Sequence, residues 1–443
     1  MKTLSRSFAQ CFVIVQCFVI ALILLLAACA APSPTPNAAP TDTSLPASPT
    51  ASVAPSATLL PTVTQTATPI PTATPTLSPT PYPVERLAFV EMNNPEGYDP
   101  FIALINSDGS GYEKLDFTAG YIHDSDRGAE TGSYLAISPN GRYLAFNGYN
   151  ETAARCGEGA YTCFAPNAGV IVADLETRTI VTLTKAVSGG FSWSPDSAQL
   201  VFLDRVELAD EQGLFHSKTN LFVLNIETGE KRQLLQNFSD DGEPAWSPDG
   251  QWIAFLRSVP DIPSCWGEAS CENSLYIIHP DGSGLTRLVE NVFHHYTSGI
   301  APVWSPDGQW LAVMSKEESI FDRKPILVNV NTGEVRRLNF DAWHTPRWFP
   351  DGNRLLLCNG EQDATDIYSL EWGENQPLNL SNHPSYDCFP IASPSGNFVA
   401  FLSGRDAKSP YLFHGLSVIH FDGSAFKSLG VLAKRFVWLP NIP

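Results

Sequence analysis

Pro244-Ala245-Trp246-Ser247-Pro248-Asp249-Gly250-Gln251-Trp252-Ile253-Ala254-Phe255 carries the reading of this chain. An aromatic residue closes one apolar run, Ser-Pro-Asp-Gly reverses the chain, and a second apolar run follows. Proline fixes φ and glycine accepts φ > 0, so the tetrad makes a tight turn. The stretch recurs as Pro302-Val303-Trp304-Ser305-Pro306-Asp307-Gly308, with Trp310-Leu311-Ala312-Val313 behind it. Looser copies surround Ser138-Pro139-Asn140-Gly141, Trp193-Ser194-Pro195-Asp196, Trp348-Phe349-Pro350-Asp351-Gly352, Ser393-Pro394-Ser395-Gly396 and Val437-Trp438-Leu439-Pro440. The prolines fall at 139, 195, 248, 306, 350, 394 and 440, in steps of 44 to 58 residues.

Steps of that size, each holding four short apolar runs, predict an all-β fold over 84–443: a seven-bladed β-propeller of four-stranded blades. Strand a ends at the Trp. Strand b is an apolar triplet, such as Leu144-Ala145-Phe146, Leu200-Val201-Phe202 or Ile253-Ala254-Phe255. Strand c is a further apolar run, such as Leu275-Tyr276-Ile277-Ile278, and strand d is more polar, as in Val335-Arg336-Arg337-Leu338. A polar last strand suits an outer edge facing water. The ends are complementary. Leu87-Ala88-Phe89 is a strand b with no strand a before it, and Phe436-Val437-Trp438 is a strand a with no strand b after it. Pairing them closes the ring and removes its open edges.

Residues 1–83 read differently. Lys2 and Arg6 precede an apolar run from Phe8 to Ala28, which ends in Leu26-Ala27-Ala28-Cys29. A charged start, an apolar middle and small residues before a cut site form a secretory pattern. The Cys at the cut resembles a bacterial lipobox. That resemblance implies a signal peptide over 1–28, with Cys29 lipidated at the mature N-terminus; an uncleaved anchor helix is the alternative. Residues 31–83 hold 14 of the 36 prolines, 13 threonines, no glycine and one charge, Asp42. Too few apolar side chains are present to offset ordering entropy, so 29–83 reads as a lipid anchor and extended stalk.

The formal net charge is −19, from 27 basic and 46 acidic residues. A nucleic-acid partner would require a basic stripe, so that class is set aside. Beyond Cys29, six cysteines remain in the exported part, and they are paired here as Cys156–Cys163, Cys265–Cys271 and Cys358–Cys388. An even count outside the cytoplasm favours disulfides over a metal, and no CxxC spacing is present.

The repeat resembles that of TolB-type propellers, over 84–443. Departures are Ile137 and Ala392 at the Trp position and Ser197 at the Gly position. The small α/β domain of that family has no counterpart here; the stalk stands in its place. The motif Trp-Ser-Pro-Asp-Gly implies the fold and says little of activity. Its Asp reads as a turn residue bonding its own backbone. Asp108-Gly109-Ser110-Gly111 and Asp281-Gly282-Ser283-Gly284 resemble calcium-loop fragments but sit at c–d hairpins and lack further ligands. Neither a nucleophile elbow nor a P-loop is found, and no cofactor or metal is expected.

The b–c connections, about 147–168, 204–219 and 257–273, read as long irregular loops, and loops on a rigid scaffold are where binding resides. The d–a segments on the same face bring acids, imidazoles and aromatics toward the axis. The candidate ligand-binding residues are Asp241, Glu243, His295, His344, Asp387 and Arg435. The expected function is a non-catalytic interaction module on a monomeric, extracytoplasmic lipoprotein, held to the membrane through Cys29, with an envelope protein, peptide or glycan as ligand. The competing reading is a carbohydrate-active hydrolase or lyase with acids and histidines at the channel mouth; two acids about 5–9 Å apart would favour a glycosidase.

Overall fold

The computed structural model describes residues 83–91, 101–117, 121–122, 135–149, 168–183, 190–209, 213, 215–236, 239–258, 273–293, 301–316, 323–361, 364–374, 376–405 and 414–441. The chain divides into two units, Met1–Leu77 and Ser78–Pro443, and every described residue lies in the second. The described residues contain no helix; they form antiparallel sheets. The lipobox, Cys29 and the stalk fall outside them, as do Cys156, Cys163, Cys265 and Cys271.

The quoted stretch folds as read. Asp241–Trp246, Ile253–Ser258, Asn273–Ile278 and Thr286–Val292 pair in sequence order as a four-stranded module. Ser247 Oγ donates to Asp249 Oδ1 at 2.6 Å, and the same oxygen accepts Gln251 N at 3.0 Å. Trp252 N returns to Ser247 Oγ at 2.9 Å, so serine and aspartate together saturate the turn. Gly250 takes φ +76°, a conformation side chains resist. The same four-strand order recurs from Phe191–Trp193 to Lys231–Gln233, from Val303–Trp304 to Val335–Arg337 and from Arg347–Trp348 to Leu378–Asn379. Leu135–Ile137, Tyr143–Tyr149, Ala168–Asp174 and Thr179–Leu183 repeat it nearer the N-terminus.

Strand b reads as an uninterrupted apolar run because both its faces are covered. Ile253 and Phe255 pack with Val201, Leu203, Leu221 and Val223 of the preceding module. Ala254 and Leu256 pack with Trp304, Leu311 and Val313 of the following one. The period-2 alternation of a strand thus divides one triplet between two cores. Each fully buried large side chain contributes about 1.5–3 kcal/mol.

Successive modules are also joined by directed bonds. Trp193 Nε1 donates to Ala136 O at 3.1 Å, Trp304 Nε1 to Ala245 O at 2.9 Å and Trp438 Nε1 to Ile391 O at 2.9 Å. The Trp indoles of these modules tie a first strand to the one before it; Trp246 differs, its Nε1 donating to Gly250 O of its own turn at 3.3 Å. Turns stack in the same sequence: Gly250 lies against Pro195, Gly352 against Pro306 and Gly396 against Pro350. Where serine replaces the turn glycine, Ser197 Oγ accepts Asn140 N of the preceding module at 3.0 Å.

The termini meet. Leu87 pairs with Trp438, Ala88 with Val437 and Phe89 with Phe436. Both oxygens of Glu85 are engaged across this junction, by Ser395 N at 3.0 Å, Ser395 Oγ at 2.8 Å and Asn441 Nδ2 at 3.2 Å.

Two expectations are corrected. Residues 204–219 are not an irregular loop. Gln199–Ala209 and Phe215–Asn225 extend as an eleven-pair hairpin from Gln199↔Asn225 to Ala209↔Phe215. The last two strands expected separately are one, Lys427–Trp438, pairing with His414–His420 at one end and Arg86–Glu91 at the other. Cys388 lies in the inner strand Asp387–Ala392 opposite Leu402.

Candidate functional site

Two first strands share a local design. Asp241-Gly242-Glu243-Pro244-Ala245-Trp246 and Asp387-Cys388-Phe389-Pro390-Ile391-Ala392 each carry a bulge, between Gly242 and Ala245 and between Cys388 and Ile391. The bulge places Glu243 at φ +50° and Phe389 at φ +57°, in the left-handed region. Such strain persists only where the surroundings over-determine it.

Here a buried ion pair does so. Arg257 Nε reaches Asp241 Oδ1 at 2.7 Å and its Nη2 reaches Oδ2 at 3.2 Å. Arg405 Nη2 reaches Asp387 Oδ2 at 2.6 Å and also donates to Ser381 O at 3.1 Å. Both aspartate side chains are fully buried. Arg257 lies over the rings of Phe255 and Tyr276, and Arg405 over Phe426. Burial pushes the Asp387 carboxyl upward, against the pull of Ser403 and Arg405.

Glu243 is buried, and its Oε2 lies 2.9 Å from where a Cβ on Gly190 would sit, in the preceding module. A larger residue at 190 would displace it. Across from Glu243 stands Arg347. Burial lowers the pKa of its guanidinium, and the Glu243 charge opposes that shift. The two residues belong to modules that are not sequence neighbours, since Val303–Lys316 and its partners lie between them. Their interaction reaches over one first strand to the next but one.

The predicted residues are thus distributed. Asp241 and Asp387 are engaged with arginines of their own modules. Glu243 faces Arg347. His344 is half-buried, its ring centroid 4.3 Å from that of Phe389. Arg435 is half-buried in Lys427–Trp438, opposite Val90. His295 lies outside the described residues. Cys358 and Cys388 form the expected disulfide, with Cα atoms 5.3 Å apart, and join two modules. The His344 nitrogen and these two sulfurs lie within 4.8 Å of one another. With the sulfurs bonded to each other, neither is available as a thiolate ligand, so this donor set does not suit a metal.

Sequence reasoning missed Arg347, Phe389 and His414. Arg347 had a usable signal: the residue before the Trp position is Ala136, Ser192, Ala245, Val303, Ile391 or Val437 elsewhere, and charged only here. His414 stacks on Tyr386 at 4.5 Å, and burial pulls its pKa down to about 4, leaving it neutral at pH 7.

Four-stranded antiparallel modules tied first strand to first strand define a β-propeller protein. No protein-family model matches the chain. Uncharacterized protein Atu1656 of Agrobacterium fabrum is 27% identical over 192 residues, 42% of this chain and 59% of that protein. The Tol-Pal system protein TolB of Francisella tularensis subsp. mediasiatica is 24% identical over 297 residues, 66% of this chain and 59% of that protein. The structure of a Mycobacterium tuberculosis puromycin-hydrolyzing peptidase superposes with a TM-score of 0.53 at 15% identity, over 81% of this chain and 55% of that one; this likeness concerns the fold alone. The chain is a TolB-like propeller protein, and it spans about three-fifths of the length of the two curated relatives described.

Proposed function

We propose that residues 84–443 close into a seven-bladed ring carried outside the cytoplasm on a lipidated Cys29 and stalk, and that the ring is a non-catalytic binding module. Closure is supported by the Leu87–Trp438 pairing and by the core that the 387–433 strands share with Leu87, Phe89 and Ile105. An extracytoplasmic place is supported by the lipobox resemblance, the Cys358–Cys388 disulfide and the likeness to a Tol-Pal system protein. The ligand is an envelope protein, peptide or glycan.

The observation that carries the binding reading is the pair of bulged first strands. Buried Asp–Arg pairs hold Glu243 and Phe389 in strained conformations on the same rim as Arg347 and His344. Rigid side chains held at a rim serve recognition. A glycosidase would need two acids free to act, and Asp241 and Asp387 are each held by an arginine. The test is capture from native envelope extract by the immobilised full chain. Glu243→Ala and Arg435→Ala are expected to lose a partner retained by the wild type while melting normally. If both retain it and a variant of the Pro-Asp-Gly turns loses it, the rim assignment is wrong. For the anchor, Cys29→Ser is expected to abolish lipid labelling and leave a larger precursor; unchanged labelling and mobility would remove the lipobox.

A further inference from the structure

Three Asn-Gly pairs occur in the chain: Asn140-Gly141, Asn147-Gly148 and Asn359-Gly360. In such a pair the glycine nitrogen can attack the carbon of the asparagine side-chain amide, because glycine has no Cβ to hinder the approach. The attack needs a nitrogen that is not engaged elsewhere and an amide held within reach, so the folded setting of each pair decides its rate. Asn140 lies in a turn. Its Oδ1 accepts Ser138 Oγ at 2.6 Å and Arg142 N at 3.0 Å, and Gly141 N donates to Ser138 O at 2.8 Å. The nucleophile is occupied and the amide is held toward Arg142. Asn147 is buried within a strand, and Gly148 is flanked by Ile122 on one side and Gly169 on the other. Asn359-Gly360 has the opposite setting, near the end of Arg354–Glu361, with Asn359 half-buried and Gly360 exposed. Gly360 N donates to Asn359 Oδ1 at 2.8 Å, so the amide carbon behind that oxygen is held beside the nitrogen that would attack it. The backbone requires glycine there: Gly360 takes φ +147°, and a Cβ would stand 2.3 Å from Ala364 O.

We infer that Asn359 is a site of spontaneous deamidation, and that it converts while Asn140 and Asn147 are protected. Gly360 N gives its proton to solvent base and bonds to Asn359 Cγ. The Cγ–Nδ2 bond breaks, and ammonia leaves with a proton taken from water. Water then opens the succinimide at either carbonyl, leaving isoaspartate or aspartate at 359; the reaction consumes only water. The product alters the hairpin. Asn359 stands directly opposite Asp366, whose carboxylate already accepts Asn379 Nδ2, Ser381 Oγ and His383 N. A carboxylate at 359 faces that like charge across the strands, which is destabilising. Gly360 O also accepts Trp343 Nε1 at 3.1 Å, so an extra backbone carbon at 359 disturbs the anchor of Trp343, the neighbour of His344.

The test incubates the full chain in warm, mildly alkaline buffer, either folded or unfolded in urea. The three peptides are then followed by mass spectrometry and enzymatic isoaspartate labelling. In the unfolded chain the three pairs are expected to convert at similar rates. In the folded chain position 359 is expected to keep most of its rate, and the other two to fall behind it by about tenfold or more. Asn359→Gln is expected to suppress conversion at 359, because its side chain closes a larger ring far more slowly. Asn359→Asp is expected to melt below the wild type, and aged wild type to shift toward it while aged Asn359→Gln stays in place. Protection at 359 equal to that at 140 or 147, or faster conversion at either of those, would overturn the proposal. Conversion at 359 with an unchanged melt would overturn its effect on the hairpin.

Discussion

Asp249 and Asp387 are the same side chain put to different uses. Asp249 sits in a Pro-Asp-Gly turn and bonds Ser247 Oγ and Gln251 N, each two residues away. Asp387 opens a first strand, is fully buried, and holds an arginine 18 residues away. The c–d turns side with Asp249: Asp108 and Asp281 accept from Ser110 and Ser283, and those bonds hold both carboxyls below the usual range. An acid that recurs with the repeat serves a turn. The acids that break the repeat hold the strained backbone at the opposite rim.

The largest effect should come from the junction of the termini. Deleting 434–443 uncovers Leu87 and Phe89, both fully buried, and removes Phe436 and Trp438 from their shared core. Loss of several such side chains, at about 1.5–3 kcal/mol each, is enough to unfold or aggregate the domain. A truncated chain that melts with the wild type would refute closure by this strand.

The contrast between the aspartates comes next. Asp387→Ala leaves Arg405 buried without its counter-charge, a change that typically costs about 3–5 kcal/mol. Asp249→Ala removes hydrogen bonds at a solvent-facing turn and should cost only about 1 kcal/mol. Chemical denaturation of both variants measures the difference. Equal losses would mean that the buried pair does not support the bulge.

Much of this was legible in the sequence, and the limits have physical causes. The Ile253-Ala254-Phe255 triplet fixes a strand covered on both faces, and Ser-Pro-Asp-Gly fixes its turn, because both are local. The 204–219 hairpin was hidden because Asp204, Arg205 and Glu207 dilute the alternation of Val206 and Leu208, though the alternation is there. The Asp–Arg pairs depend on where a strand b ends relative to its strand a, and the facing of Glu243 and Arg347 depends on how modules are arranged. Neither is written in residue spacing.

A pH titration sharpens the same comparison at a histidine. His414 is buried, and its pKa is lowered to about 4 by desolvation, from an ordinary 6.5. A depressed histidine contributes fully above its unfolded value, and that contribution is lost as pH falls from about 6.5 to about 4. The loss over that window is about 3 kcal/mol, because the unfolded chain takes up the proton first. His414→Phe keeps the stack on Tyr386 and should flatten the melting temperature between pH 7 and pH 4. A profile identical to the wild type would place the acid sensitivity elsewhere.

The smallest effect is expected at Ser197, where the repeat departs from its own rule. Ser197 holds φ +64°, at the position where Gly250 and Gly308 take +76° and +70°. A side chain there carries backbone strain of about 1 kcal/mol that glycine would relieve. Its hydroxyl accepts Asn140 N from the neighbouring module at 3.0 Å, a bond worth a similar amount. Ser197→Gly removes strain and bond together, so its net change should stay within about 0.5 kcal/mol. Ser197→Ala keeps the strain and loses the bond, and should cost about 1 kcal/mol or more. Denaturation midpoints of the two variants therefore separate the turn's own geometry from its tie to the preceding module. If alanine and glycine behave alike, the serine is only a drifted turn residue, and the tie between turns contributes nothing at this junction.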